Sequence, residues 1–134
     1  MIEESYVSFD TAKLLKEAGF DVPCFNQYTD RGTVWHCDCP ENFNISQCAT
    51  SCPTQALAAR WLREAHGIHV VITEEAYTNG INYLWQVLIY NPLSVDCWDN
   101  KSTGMYGDNG EYKTYEEAME AGISFTLKNL ISNE

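Results

Sequence analysis

Basic residues are scarce: 8 Lys and Arg stand against 19 Asp and Glu in 134 residues, for a formal net charge of −11. Binding nucleic acid through phosphate contacts needs clustered Lys and Arg. Here they are few and scattered, which argues against that class. Long apolar runs are also missing. Val70–Ile72 and Leu84–Ile89 are the longest, far short of the ~20 residues that cross a bilayer as a helix. The opening Met1-Ile2-Glu3-Glu4-Ser5-Tyr6 puts acids where a signal peptide carries Lys or Arg and then an apolar run. The reading is therefore a cytoplasmic protein with reduced thiols, in which the sequons Asn44-Ile45-Ser46 and Asn100-Lys101-Ser102 carry no meaning. Phosphate-cradling loops, a Gly-x-Ser-x-Gly nucleophile elbow and a His-Glu-x2-His metal pair are all absent.

What is present is a folding composition. The chain is 45% apolar with four Trp and eight Tyr, too rich for a disordered segment. Its length suits one domain over 1–134, hiding roughly two-thirds of its surface on folding.

Three stretches read as helices. Ser8 is placed to cap a first one, with Phe9, Ala12, Leu15 and Ala18 in one stripe and Gly19 as a left-handed exit that folds Phe20 back onto Leu15. A second starts at Pro53, as the first helical residue, and exits at Gly67. Its apolar face is Leu57, Ala58, Trp61, Leu62 and Ala65. Thr114-Tyr115-Glu116-Glu117 is a capping box for the third. Met119, Ile123, Leu127 and Leu130 form its stripe, widened by Ala118, Phe125 and Ile131.

Strands are expected at Cys24–Tyr28 and Thr33–Cys37 around a turn, at Ile68–Thr73, at Ile81–Tyr90 and at Leu93–Trp98. Apolar residues on both sides of Ile81–Tyr90 predict a central strand covered on two faces. Glu74–Gly80 reads as a hairpin loop longer than two residues, and Asn100–Gly110 as a Gly-, Asn- and Asp-rich loop. Pro40–Ser51 lacks periodicity and reads as polar, irregular and mobile. The sum is an α+β fold: a small antiparallel sheet of about three to five strands packed against about three helices.

The cysteines are the sharpest chemical feature. Five of the six, Cys24, Cys37, Cys39, Cys48 and Cys52, precede residue 53. Cys37, Cys39, Cys48 and Cys52 are a candidate zinc set, since four thiolates suit a tetrahedral site, although Cys37-x-Cys39 is tighter than the usual pair spacing. The alternative makes them small hydrophobes in a reducing compartment. Cys52, beside a helix start, is a candidate nucleophile favoured by the helix dipole, with His36, His66 or His69 as its base. The acid pairs Glu3-Glu4, Glu74-Glu75 and Glu116-Glu117 read as solvated surface; an acidic DNA mimic would fit the net charge, but the charges are dispersed and such a balance is common. Trp98, Tyr106, Tyr112 and Tyr115 border the glycine-rich loop, as a partner-binding patch or as cover for a sheet edge.

Three blocks resemble a family. They are Ser8-Phe9-Asp10-Thr11-Ala12-Lys13-Leu14-Leu15-Lys16-Glu17-Ala18-Gly19-Phe20, Pro53-Thr54-Gln55-Ala56-Leu57-Ala58-Ala59-Arg60-Trp61-Leu62-Arg63-Glu64 and Tyr112-Lys113-Thr114-Tyr115-Glu116-Glu117-Ala118. In this order they are similar to small uncharacterised proteins of gut bacteria and their phages or prophages. The resemblance implies a phage or mobile-element setting inside the cell and no assigned activity, so it carries over no catalytic residue, metal or cofactor. Together with the missing catalytic motifs, it makes a non-enzymatic protein-binding module the leading expectation. A zinc-binding module and a Cys52 thiol enzyme stand as alternatives.

Overall fold

The computed structural model describes residues 2–91, 93–99 and 112–131. Helix α1 spans Phe9–Glu17, and Ser8 accepts a hydrogen bond from the Thr11 N–H as its cap. Ala12 and Leu15 are buried. Gly19 takes φ 94°, and the Phe20 N–H returns to the Leu15 carbonyl at 3.0 Å, which seats the Phe20 ring in the core.

Strands β1 (Cys24–Thr29) and β2 (Val34–Glu41) form an antiparallel hairpin, and β3 (Ala49–Ser51) pairs with the other side of β1. The sheet order is therefore β2-β1-β3. The stretch from Pro40 to Ser51 is not irregular as expected: β2 runs to Glu41, a 3-10 turn covers Phe43–Ile45, and β3 follows. Side chains replace the missing apolar period. Asn44 donates to the Phe20 carbonyl and accepts from the Ser51 N–H, both at 2.8 Å. Lys16 Nζ donates to the Ser46 and Ala49 carbonyls at 2.6 Å.

Helix α2 spans Gln55–His66, and its cap is Thr54, which accepts from the Leu57 N–H. Pro53 therefore lies one residue outside the helix rather than at its first position, because a hydroxyl acceptor outcompetes an imide at the cap. Gly67 makes the left-handed exit at φ 67°. Ala58, Ala59, Trp61 and Leu62 are buried, while Ala65 is exposed. The helix is rotated slightly from the stripe read in the sequence.

The second sheet has the order β4-β5-β6, with β4 at Ile68–Tyr77, β5 at Gly80–Asn91 and β6 at Ser94–Asp99. The strands thus divide into two three-stranded sheets rather than one. Tyr77 pairs with Gly80, so β4 continues through Glu74–Tyr77 and the connecting loop is two residues, Thr78-Asn79, not the longer one expected. Central β5 matches the sequence reading. Leu84 is buried on the face opposite Trp85 and Val87 as well, while the described helix packing lies on the Trp85 side.

That packing comes from α2 and from α3 (Tyr115–Asn129), capped by Thr114. A Cβ on Gly122 would stand 2.8 Å from Val70 Cγ1 and 3.1 Å from Trp85 Cβ. Only a glycine lets α3 approach the sheet so closely. Phe125 packs on Trp85 with ring centroids 4.6 Å apart. One core cluster joins α1, β1, α2, the Ile68, Val70, Trp85 and Val87 face of the second sheet, and α3. The loop expected at Asn100–Gly110 lies outside the described residues.

Candidate functional site

The β1–β2 hairpin is built from a tight turn outward. The Gly32 N–H donates to the Thr29 carbonyl at 2.9 Å, and the Thr29 N–H donates to the Thr33 carbonyl at 2.8 Å. Gly32 sits at φ 83°, the left-handed residue that closes a three-residue hairpin loop. From there Tyr28↔Val34, Gln27↔Trp35 and Asn26↔His36 pair in register. Alternation sends Cys24, Asn26 and Tyr28 to the core and leaves Phe25 outside.

Its outer side carries apolar rings in water. Trp35 is 62% exposed and Phe25 50%, while Val34, paired with Tyr28 and so on the other face, is 48% exposed. Phe25 stacks on the His36 imidazole, centroids 6.1 Å apart at 16°. His36 Nδ1 is in turn 2.7 Å from Asn26 Oδ1, and Gln27 Nε2 donates to Cys37 Sγ at 3.3 Å. The sequence reading missed this surface, although Val34-Trp35 in a short strand followed by Asp38 and Glu41 was a signal for an edge strand.

All six cysteines are free thiols, and the structure separates the four of the candidate zinc set. Cys37 is half-buried and Cys39 exposed on β2. Cys48 is exposed beside β3, where Ala49 pairs with Thr29 at the turn end of β1. Cys52 is 1% exposed in the core, and its N–H donates to the Asn26 carbonyl at 2.9 Å. Among the described residues, no three His, Cys, Asp or Glu side chains gather as metal ligands.

Cys52 also differs from a helix-start nucleophile. It stands two residues before the Thr54 cap, and burial pushes its thiol pKa up, with the neighbouring Tyr28 hydroxyl opposing. Cys24 is pushed up to about 11, first by burial and then by neighbouring Cys52, with Ser51 opposing. Burial raises Tyr28 most strongly, and its hydroxyl donates to the Val7 carbonyl at 2.6 Å. The three histidines are placed elsewhere: His36 on Asn26, His66 edge-on to Trp61 at 4.9 Å, and His69 exposed on β4.

A broad groove of about 790 Å³ lies between the start of α1 and α3, lined in part by Tyr6, Thr11, Tyr28, Gln55 and Glu120. Its central carboxylate is engaged. Glu120 accepts from the Ser8 N–H at 3.0 Å, from Ser8 Oγ at 3.1 Å and from Thr11 Oγ1. It therefore serves α1 as a second cap from another helix. Of the acid pairs, Glu116-Glu117 lines this groove, Glu3-Glu4 lines an adjoining hollow and Glu74-Glu75 lies on β4.

Of the aromatic patch, Tyr112 exchanges backbone hydrogen bonds with Tyr83 at 2.8 and 2.9 Å, adding one rung beside β5. Tyr115 is 44% exposed, Trp98 half-buried, and Tyr106 outside the described residues. No described helix is long and apolar enough to cross a membrane. No protein-family model, curated protein or solved structure matches the chain.

Proposed function

We propose that the chain is a non-enzymatic protein-binding module, and that it meets its partner through the outer side of the β1–β2 hairpin. The observation that carries this reading is the exposure of Trp35, 62%, with Phe25 also half in water. Trp is the side chain most enriched among residues that dominate binding energy at protein interfaces. A cytoplasmic, phage or mobile-element setting goes with the reading through the three sequence blocks.

The test is capture from gut-bacterial lysate with a photo-crosslinker at position 33, exposed two residues before Trp35, beside the same bait carrying Trp35→Ala. A specific crosslinked protein should appear, and its affinity should fall about 30-fold in the variant, as for an interface residue contributing about 2 kcal/mol. Crosslinks that Trp35→Ala leaves unchanged, or turnover of a small molecule without any captured protein, would overturn the proposal.

A further inference from the structure

The β1–β2 ladder jumps from Asn26↔His36 to Cys24↔Glu41. One residue of β1, Phe25, therefore faces four of β2: Cys37, Asp38, Cys39 and Pro40. An ordinary bulge sets two residues against one. This one is wider, and its backbone is not tied to the partner strand pair by pair. Pro40 has no N–H to lose. Both thiols of the Cys37-x-Cys39 step lie inside it.

Two residues apart in an extended chain, Cα atoms are about 6.6 Å apart. That is near the upper end of what a disulfide spans, about 6.8 Å. Side chains at that spacing also point to the same side. In a regular strand the remaining approach of the two Cβ atoms would break ladder hydrogen bonds. In the bulge it does not. Cys39 is exposed and Cys37 half-buried, and Cys37 Sγ already accepts a hydrogen bond from Gln27 Nε2, a bond that strengthens when sulfur is anionic.

The other thiols lack one or more of these features. Cys24 and Cys52 are sealed in the core. Cys48 lies across β1 at the far end of the hairpin, and Cys97 pairs with Leu88 in the other sheet.

We propose that Cys37 and Cys39 form a reversible intrachain disulfide by exchange with a low-molecular-weight disulfide. The Cys37 thiolate attacks one sulfur of that disulfide, forming a mixed disulfide and expelling one small thiolate. The Cys39 thiolate then attacks Cys37 Sγ, forming the Cys37–Cys39 bond and expelling the second. Two protein thiols are oxidised, one small disulfide is reduced, and the two expelled thiolates take up the two cysteine protons. So short a ring is strained, so the bond is an oxidising one that dithiols reopen readily.

The experiment incubates the full chain with oxidised glutathione, quenches with acid, and maps iodoacetamide-accessible cysteines by peptide mass spectrometry before and after dithiothreitol. The expected product lacks two hydrogens, carries no glutathione, and has Cys37 and Cys39 protected until dithiothreitol is added. Cys39→Ser should stop at a glutathione adduct on Cys37. A persistent adduct on wild-type Cys37, a disulfide drawn from Cys48 or Cys97, or both thiols staying alkylatable would each overturn the proposal. The wild-type map decides this without the variant, so misfolding of Cys39→Ser cannot shelter it.

Discussion

In the β4-β5-β6 sheet, β4 and β5 pair from Ile68↔Ile89 to Tyr77↔Gly80 without a shift, whereas the β1–β2 ladder loses register after three steps from the turn. The first sheet named here has helix cover: Val70, Trp85 and Val87 lie under α2 and α3 in the core. A one-residue slip there would turn every buried side chain to the wrong face, so the pattern enforces register. In the other sheet β2 is exposed along nearly its whole length. Nothing buried penalises a slip on that strand, and a four-residue bulge is tolerated. Register in this protein follows burial, and irregularity collects where burial ends.

The largest effect should separate the two sheets through their tryptophans. Trp85 is fully buried, so Trp85→Ala should cost about 3–5 kcal/mol in urea denaturation. Trp35→Ala should stay within about 0.5 kcal/mol. Equal losses would erase the distinction between a packed sheet and a peripheral hairpin.

An intermediate effect should come from alkali. Below pH 9 the Cys24 thiol is protonated in both folded and unfolded chains. Above it the unfolded thiol ionises, while the folded one holds its proton until about 11. Stability should therefore be full below pH 9 and fall as pH rises toward 11, with Cys52 and Tyr28 acting in the same direction. Urea midpoints across pH 8–11 check this, and Cys24→Ala should flatten the fall. A fall unchanged in that variant would place its cause elsewhere.

The smallest effect tests how the two regions are joined. Glu120→Ala removes three hydrogen bonds from the start of α1 and should cost about 1–2 kcal/mol. Combined with Ser8→Ala, the loss should be less than additive, because the two changes remove one shared contact.

Most of the architecture was legible because it is local. The Ser8 and Thr114 caps, the exits at Gly19 and Gly67, and the central position of β5 each rest on residues within one turn or one strand of each other. Most of the missed features depend on distant partners, the helix start at Thr54 being a local exception. Pro53 and Thr54 both favour a helix start, and the contest was settled by the Thr54 hydroxyl reaching Leu57. Glu74-Glu75 lowers the apolar alternation, so β4 was cut short, although pairing with β5 holds it extended to Tyr77. The 37–40 bulge has no period to detect. The four cysteines looked adjacent because they are close in sequence, but β1 runs between Cys37 and Cys48, and Cys52 is sealed in the core just after β3. Glu120 carried no signal at all, since its role lies 112 positions from the residue it serves.

That last separation bears on how the chain is made. Translation delivers Ser8, at the start of α1, 112 residues before Glu120. The Val7 N–H finds the Pro53 carbonyl, and the Ser5 carbonyl the Gln55 N–H, well before α3 has left the ribosome. During that interval the N-terminus of α1 has only the Ser8 hydroxyl to satisfy it. Helix α1 is thus completed only after α3 is made, and a chain arrested before residue 120 should leave it frayed at its start.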